Sequence, residues 1–256
     1  MKVNVLRADP AGNITLFVLD PVPQRDRAGL AARLMEGTDV EQVGYVCPPV
    51  MGGSGRLEMA GGEFCGNAAR AFGMLTAQKL GGVSRVLVEV SGCEGLSAVE
   101  VDWEAGAACA QMPLPRSVRR AEAGGRTGTL VDLGGIAHFV AEDVPPSLEF
   151  FQKAEPLFGH IPGLEAYGVI FLDSRAGTMT PLVKVPAAGT LVWEGSCGSG
   201  SLAAAAAQSR EDGPFVRTYV QPAGAVEASV TRRNGEIVSA RIGGPVTLDP
   251  PCQIEI

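Results

Sequence analysis

Two short segments place a cysteine where a glycine-rich turn gives way to an alanine-rich stretch: GGEFCGNAARAFG over residues 61–73 and EGSCGSGSLAAAAA over residues 194–207. A cysteine at a helix N-terminus meets unpaired backbone N–H groups and the positive end of the macrodipole, which predicts a thiol pKa lowered toward neutrality at Cys65 and Cys197. Gly66 and Asn67 after the first, and Gly198 and Ser199 after the second, let the backbone approach an anion such as a carboxylate. Two such corners on one substrate suit proton transfer at the carbon beside that carboxylate. One thiolate removes the proton from one face and the opposing thiol returns one to the other, so the centre inverts. The anion-holding N–H groups stabilise the enolate-like charge that develops, and the scheme requires no cofactor. Taken singly, a cysteine before an alanine-rich helix is more often a small buried packing residue than a catalyst; the matching pair brings the two readings level.

Other reactive residues are sparse. Cys47, Cys93, Cys109 and Cys252 lack a glycine-rich context and are expected to be buried; no CxxC pair occurs, so neither a disulfide scaffold nor a zinc site is expected. Only two histidines are present, His138 and His160, which leaves a catalytic metal without its usual ligand cluster, and no metal is expected. His138, in GGIAHFV, reads as a structural hydrogen-bonding residue or a catalytic one. The four lysines, at 2, 79, 153 and 184, sit in no recognisable pyridoxal-phosphate setting. Glu63 is close to the first cysteine and is read as favouring the helix dipole before any substrate contact.

These corners must be held by a folded scaffold, and the chain can supply one. Of its 256 residues, 46% are hydrophobic and 19% charged, enough for one large core or two smaller ones. The net charge of -7 and the scattered basic residues argue against nucleic acid as a partner. No apolar run is long enough for a signal peptide or a bilayer span, so a cytoplasmic location without membrane association is expected. Helices are predicted at about 25–36 and from Gly66 to about Lys79. Strand-like runs precede and follow each cysteine corner: ITLFVLD, RVLVEVS, LSAVEVDW and ACAQMPL in the first half, TLVDL, HFVAE, YGVIFLD, LVKVP, RTYVQPAG, AVEASVTRR and IVSARIGG in the second. The corners recur 132 residues apart, from Cys65 to Cys197, about half the chain. That period predicts two related α+β domains, residues 1–117 with Cys65 and 118–256 with Cys197, meeting in the polar stretch from Pro115. The last strand is free to return to the first domain, and a cleft is expected between the two.

In order and approximate spacing, PAGNITLFVLD, FCGNAARA and SCGSGSLAAA make the chain resemble the cofactor-independent amino-acid racemases and epimerases of the diaminopimelate-epimerase fold. The resemblance implies two pseudo-symmetric domains, each with a mixed sheet around a central helix, and an active site in the interdomain cleft. It also implies that Cys65 and Cys197 are the two bases and that Gly66, Asn67, Gly198 and Ser199 form the carboxylate cradle. Asn13 falls at the family's substrate-side asparagine, although an Asn after Gly is equally plain turn chemistry. Diaminopimelate epimerases place an arginine before the second cysteine motif to hold a distal carboxylate; here the pair is Glu194-Gly195, which favours a basic or neutral side chain that can donate to Glu194. GGEFCGNA, VSGC, WEGSCGSGS and QPAGAV are similar to the histidine racemases that supply D-histidine for opine metallophores of the staphylopine type. The expected partners are therefore a small amino-acid substrate and a second copy of the chain in a homodimer. The alternatives are a diaminopimelate epimerase, a racemase of another amino acid such as proline, or a binding module in which the thiols only pack.

Overall fold

The computed structural model describes residues 2–255, and contacts divide it into two units, one running to Gln111 and resuming at Gly243, the other spanning Met112–Ile242. Cys65 belongs to the first and Cys197 to the second. In the first, strands β1 (Lys2–Asp9) and β2 (Thr15–Val18) lead to helix α1 (Gln24–Met35), then β3 (Gln42–Cys47), β4 (Gly55–Met59), helix α2 (Gly66–Lys79), β5 (Arg85–Val90), β6 (Ser97–Asp102) and β7 (Ala107–Gln111). The second holds β8 (Ser117–Ala123), β9 (Arg126–Asp132), β10 (Ile136–Glu142), helix α3 (Leu148–Ala154), β11 (Ala166–Asp173), β12 (Thr178–Val185), β13 (Thr190–Trp193), helix α4 (Gly198–Gln208), β14 (Gly213–Gln221) and β15 (Gly224–Arg233). Strand β16 (Glu236–Pro245) carries the chain back to the first unit, which β17 (Thr247–Leu248) and β18 (Cys252–Glu255) complete by pairing antiparallel to β1.

The two units share a pairing pattern. In the first, β1 is antiparallel to β2, β2 parallel to β3 across α1, β3 antiparallel to β4, and β4 parallel to β5 across α2. In the second, β9 is antiparallel to β10, β10 parallel to β11 across α3, β11 antiparallel to β12, and β12 parallel to β14 across α4. Parallel neighbours require a crossover, and helices fill all four. Each sheet thus packs one helix on each face.

Alternation along the strands explains why both faces are covered. Val3, Val5, Leu16, Val18 and Val43 join Leu30 and Leu34 of α1, whereas Leu6, Phe17 and Leu57 join the core around α2. Likewise Val169 and Phe171 pack with the α3 phenylalanines Phe150 and Phe151, while Ile170 between them lies beside Gly200 of α4. Residues 66–77 of α2 are all buried, and α4 is buried through its run of Ala203–Ala206. Small side chains let both helices sit inside their units.

Several expectations change here. The polar stretch from Pro115 is the β8–β9 hairpin, turned by Gly124 and Gly125 at φ 55° and 72°. Its charged residues face solvent from a strand. Cys252 is exposed and Cys47, Cys93 and Cys109 are only partly buried, because all four lie on strands or turns near unit surfaces. No helix among the described residues is long and apolar enough to cross a membrane.

Candidate active site

Both cysteines are helix N-caps with nearly the same backbone. Cys65 caps α2 at φ −119°, ψ 112°, and Cys197 caps α4 at φ −120°, ψ 105°. In each case the sulfur accepts the N–H three residues on, from Ala68 at 3.4 Å and from Gly200 at 3.3 Å. The extended cap residue starts the helix and turns its side chain back over the first turn, where Ser or Asp would ordinarily stand. The N–H groups at the start of each helix have no acceptor within it, which leaves Gly66 and Asn67, or Gly198 and Ser199, able to meet a bound anion.

Around Cys65, Asn13 comes within reach from the turn between β1 and β2. Its Oδ1 accepts from the thiol at 3.8 Å and from Gln42 Nε2 at 2.8 Å, while its Nδ2 donates to Glu41 at 2.6 Å. Gln42 Nε2 also donates to Thr15 Oγ1 at 2.7 Å. Asn13 is therefore a neighbour of the candidate base, held by its own network. Burial raises the Glu41 carboxyl pKa, against the pull of Asn13. Asn67 is buried, its side-chain carbonyl is taken by Arg70 at 3.2 Å, and its backbone N–H faces the Cys65 sulfur.

Cys197 sits in a different electrostatic setting. Its backbone N–H donates to Gln221 Oε1 at 2.7 Å, and Gln221 Nε2 donates to Ser201 Oγ, which in turn donates to the Cys197 carbonyl. Ser199 Oγ stands 3.5 Å from the sulfur and 2.8 Å from His138 Nε2. His138 is wholly buried, Nδ1 has no partner among the described residues, and burial lowers its pKa to about 3. A buried N–H without an acceptor is avoided more strictly than a bare lone pair, so the neutral ring keeps its proton on Nε2 and donates to Ser199. The Ser199 hydroxyl proton is then free for the Cys197 sulfur. Glu194 accepts from the Cys197 thiol, and its negative charge adds to burial in raising that pKa.

Both thiols thus depart from the expected lowering. Burial pushes Cys65 up despite the opposing N–H groups of Ala68 and Asn67 and the Gln42 side chain, and Glu63 adds a smaller upward push. Cys197 is raised well beyond its ordinary value. Loss of water around a sulfur outweighs a few backbone dipoles, so each thiol rests protonated in its own corner, with Cys65 the more readily ionised.

The residues read as catalytic or substrate-binding, Cys65, Asn13, Gly66 and Asn67 on one side and Cys197, Glu194, Gly198 and Ser199 on the other, each lie at one of the two corners. Sequence reading missed Glu41, Gln42, Gln221 and Arg70, because each arrives from a distant segment or is buried against type. His138 was singled out without its partner. The GNI and QPAG turns were the signals near Asn13 and Gln221, and Arg70 lies within the first cysteine segment itself.

The sequence profile described as "Histidine racemase CntK N-terminal domain" matches residues 2–250. A histidine racemase of Fusobacterium nucleatum subsp. nucleatum is 32% identical over 218 residues, covering 79% of this chain and 80% of its own. A histidine racemase of Staphylococcus aureus is 26% identical over 255 residues, covering 93% and 92%. Among solved structures, a probable proline racemase from Agrobacterium radiobacter superposes with a TM-score of 0.68 at 12% identity, over 99% of this chain and 93% of that one. A hydroxyproline epimerase from Agrobacterium vitis gives 0.64 at 12% identity, over 99% and 92%. These likenesses place the chain among mixed α+β, sheet-dominated folds with racemase and epimerase neighbours.

Proposed function

We propose that this chain, which belongs to the histidine racemase family, interconverts L- and D-histidine by passing the α-proton between Cys65 and Cys197. The observation that carries the mechanism is the repeated corner: two thiols, each capping a buried helix with the same backbone and the same bond to the N–H three residues on. Inversion without a cofactor needs an acid and a base on opposite faces of one carbon, and a twofold repeat supplies one from each half. In this reading the substrate lies in a cleft of the diaminopimelate-epimerase type, with its carboxylate at the helix N-termini.

Proton accounting follows from the groups present. Cys65 first loses its proton to solvent. Its thiolate takes the α-proton and the Cys197 thiol gives its own to the opposite face, which leaves Cys65 protonated and Cys197 as the thiolate. The reverse direction starts from that state with the roles exchanged. Helix N–H groups at Gly66, Asn67, Gly198 and Ser199 offset the charge on the carboxylate as the carbanion forms. Ser199, oriented by His138, donates to Cys197 when it becomes the thiolate. Glu194 holds the Cys197 proton at rest, which makes Cys197 the initial acid and Cys65 the initial base; its carboxylate also faces a substrate imidazole as acceptor. The family resemblance further supports D-histidine as a metallophore precursor and a homodimer as the working assembly.

The test is α-proton exchange in D₂O with reduced protein over histidine, diaminopimelate and proline, followed by chiral chromatography. Exchange with inversion on histidine is expected, and Cys65→Ser or Cys197→Ser should lower it by roughly two to four powers of ten. Inversion at full rate in either variant removes the two-thiol mechanism, and inversion of another amino acid in preference to histidine removes the substrate assignment.

A further inference from the structure

The largest side chain buried without residue in either unit belongs to a cation. Arg70, on α2, is 0% exposed, and its guanidinium donates to Pro10 O at 2.7 Å, Gly244 O at 3.0 Å, Pro245 O at 2.8 Å and Asn67 Oδ1 at 3.2 Å. No carboxylate forms an ion pair with it among the described residues. Burying a charge on carbonyl partners alone is expensive, and an apolar side chain of similar size fills such space at lower cost. Among the described residues Arg70 is the fully buried arginine or lysine, and it stands in the helix turn that follows the first candidate base.

The four acceptors define what the fork does. Pro10 opens the tight turn in which Ala11 and Gly12 take positive φ, 59° and 91°, and Gly12 N–H is held by Asp9 at 2.6 Å. Asn13 follows directly and accepts from the Cys65 thiol. Asn67 is in the first turn of α2, two residues after Cys65, and Gly244–Pro245 is the segment by which the chain re-enters this unit. One planar guanidinium therefore ties together the turn that carries Asn13, the helix start that carries Cys65 and the returning strand. Lysine cannot match this, because its single ammonium lacks the fixed fork.

We propose that Arg70 is a positioning residue for Cys65: its fork fixes the Pro10–Asn13 turn and the start of α2 around the thiol, and sets a positive charge beside that corner. The inference rests on Cys65 being a base, as the proposed function has it. The charged groups around this corner are Glu63, which pushes the Cys65 thiol up, Glu41, which accepts from Asn13, Asp9, whose charge acts on Glu41 and Arg70, and Arg70 itself, whose guanidinium interacts with both the Cys65 and Cys109 thiols. Three are acidic, and Glu63 among them resists a thiolate; Arg70 is the cation. Burial lowers its own pKa only to about 10, so it stays charged at neutral pH.

The experiment measures alkylation of the full-length protein by iodoacetamide as a function of pH, with Cys65 and Cys197 followed separately by peptide mapping, in wild type, Arg70→Met and Arg70→Lys. Removing a neighbouring buried cation should make Cys65 in Arg70→Met about tenfold slower to alkylate at neutral pH, with its profile moved to higher pH, while Cys197 keeps its profile. Arg70→Lys should hold the Cys65 profile near wild type but lower kcat for racemisation, and adding Asn13→Ala to it should cost less than Asn13→Ala costs wild type. An unchanged Cys65 profile in folded Arg70→Met, or equal shifts at both cysteines, overturns the charge role. Full kcat in Arg70→Lys overturns the positioning role and decides that part even if Arg70→Met fails to fold. Because alkylation needs no turnover, a wild-type protein that does not racemise histidine defeats the functional reading while leaving the charge role measurable.

Discussion

The corner residues of the two units differ in charge although their backbones match. Glu194 accepts from Cys197 and raises its pKa, whereas Glu63 exerts a weaker push on Cys65. Replacing Glu194 by Gln removes a negative charge that disfavours the thiolate, so alkylation of Cys197 should move to lower pH while that of Cys65 stays in place. A shift to higher pH would mean that the carboxylate acts as the thiol's proton acceptor rather than as its electrostatic opponent. His138 makes a second residue-level case, this time for stability. Its folded pKa of about 3 lies below the ordinary 6.5, so the unfolded chain binds a proton that the native ring refuses. Stability from this group is complete above pH 6.5 and is lost as pH falls toward 3, at about 1.4 kcal/mol per pH unit within that window. His138→Gln keeps a polar partner for Ser199 without the titration. Urea denaturation should therefore show its cost relative to wild type shrinking by about 2 kcal/mol between pH 7 and pH 5. A pH-independent difference would show that His138 is not held neutral.

At the scale of elements, the buried helices depend on glycine where they approach the sheet. A Cβ at Gly73 of α2 would lie 2.5 Å from Val99 Cβ on β6, a distance the packed strand cannot yield. Gly73→Ala should destabilise the protein by about 1–3 kcal/mol in a denaturant titration, as overpacking does. Gly29, on α1, meets nothing within 4 Å, so Gly29→Ala should instead stabilise by roughly 0.5–1 kcal/mol through helix propensity. Equal effects at the two sites would contradict the packing described for α2. The start of α2 was legible from sequence because Cys65-Gly66-Asn67 breaks an extended approach and Ala follows at once. Helix α1 was equally plain, observed over Gln24–Met35 against an expected 25–36. Short or charged strands were not legible: β4 is bracketed by glycines, and β8 exposes Arg119, Arg120 and Glu122, so its pairing partner rather than its own pattern makes it a strand. Within the site, Cys65, Cys197 and Ser199 could be read from local spacing. Glu41, Gln221 and Arg70 could not, since their roles come from crossovers that bring residues tens of positions apart to one helix end.

For the whole molecule, the proposed two-thiol mechanism makes one reaction depend on both units. Each has its own core and its own cysteine corner, and a single thiol of either kind can exchange a proton on one face only. If both act on one α-carbon, a bound histidine must shield both sulfurs at once, although they belong to different units. Alkylation of the reduced wild-type protein, mapped by peptide, should therefore be slowed by L- or D-histidine at Cys65 and Cys197 together. Exposed Cys252 should react at its usual rate and serve as the internal reference. Shielding should strengthen with histidine concentration along one saturation curve for both thiols, because one ligand covers both. Protection of a single cysteine, or two curves with different midpoints, would assign the thiols to separate sites and leave inversion without its second face.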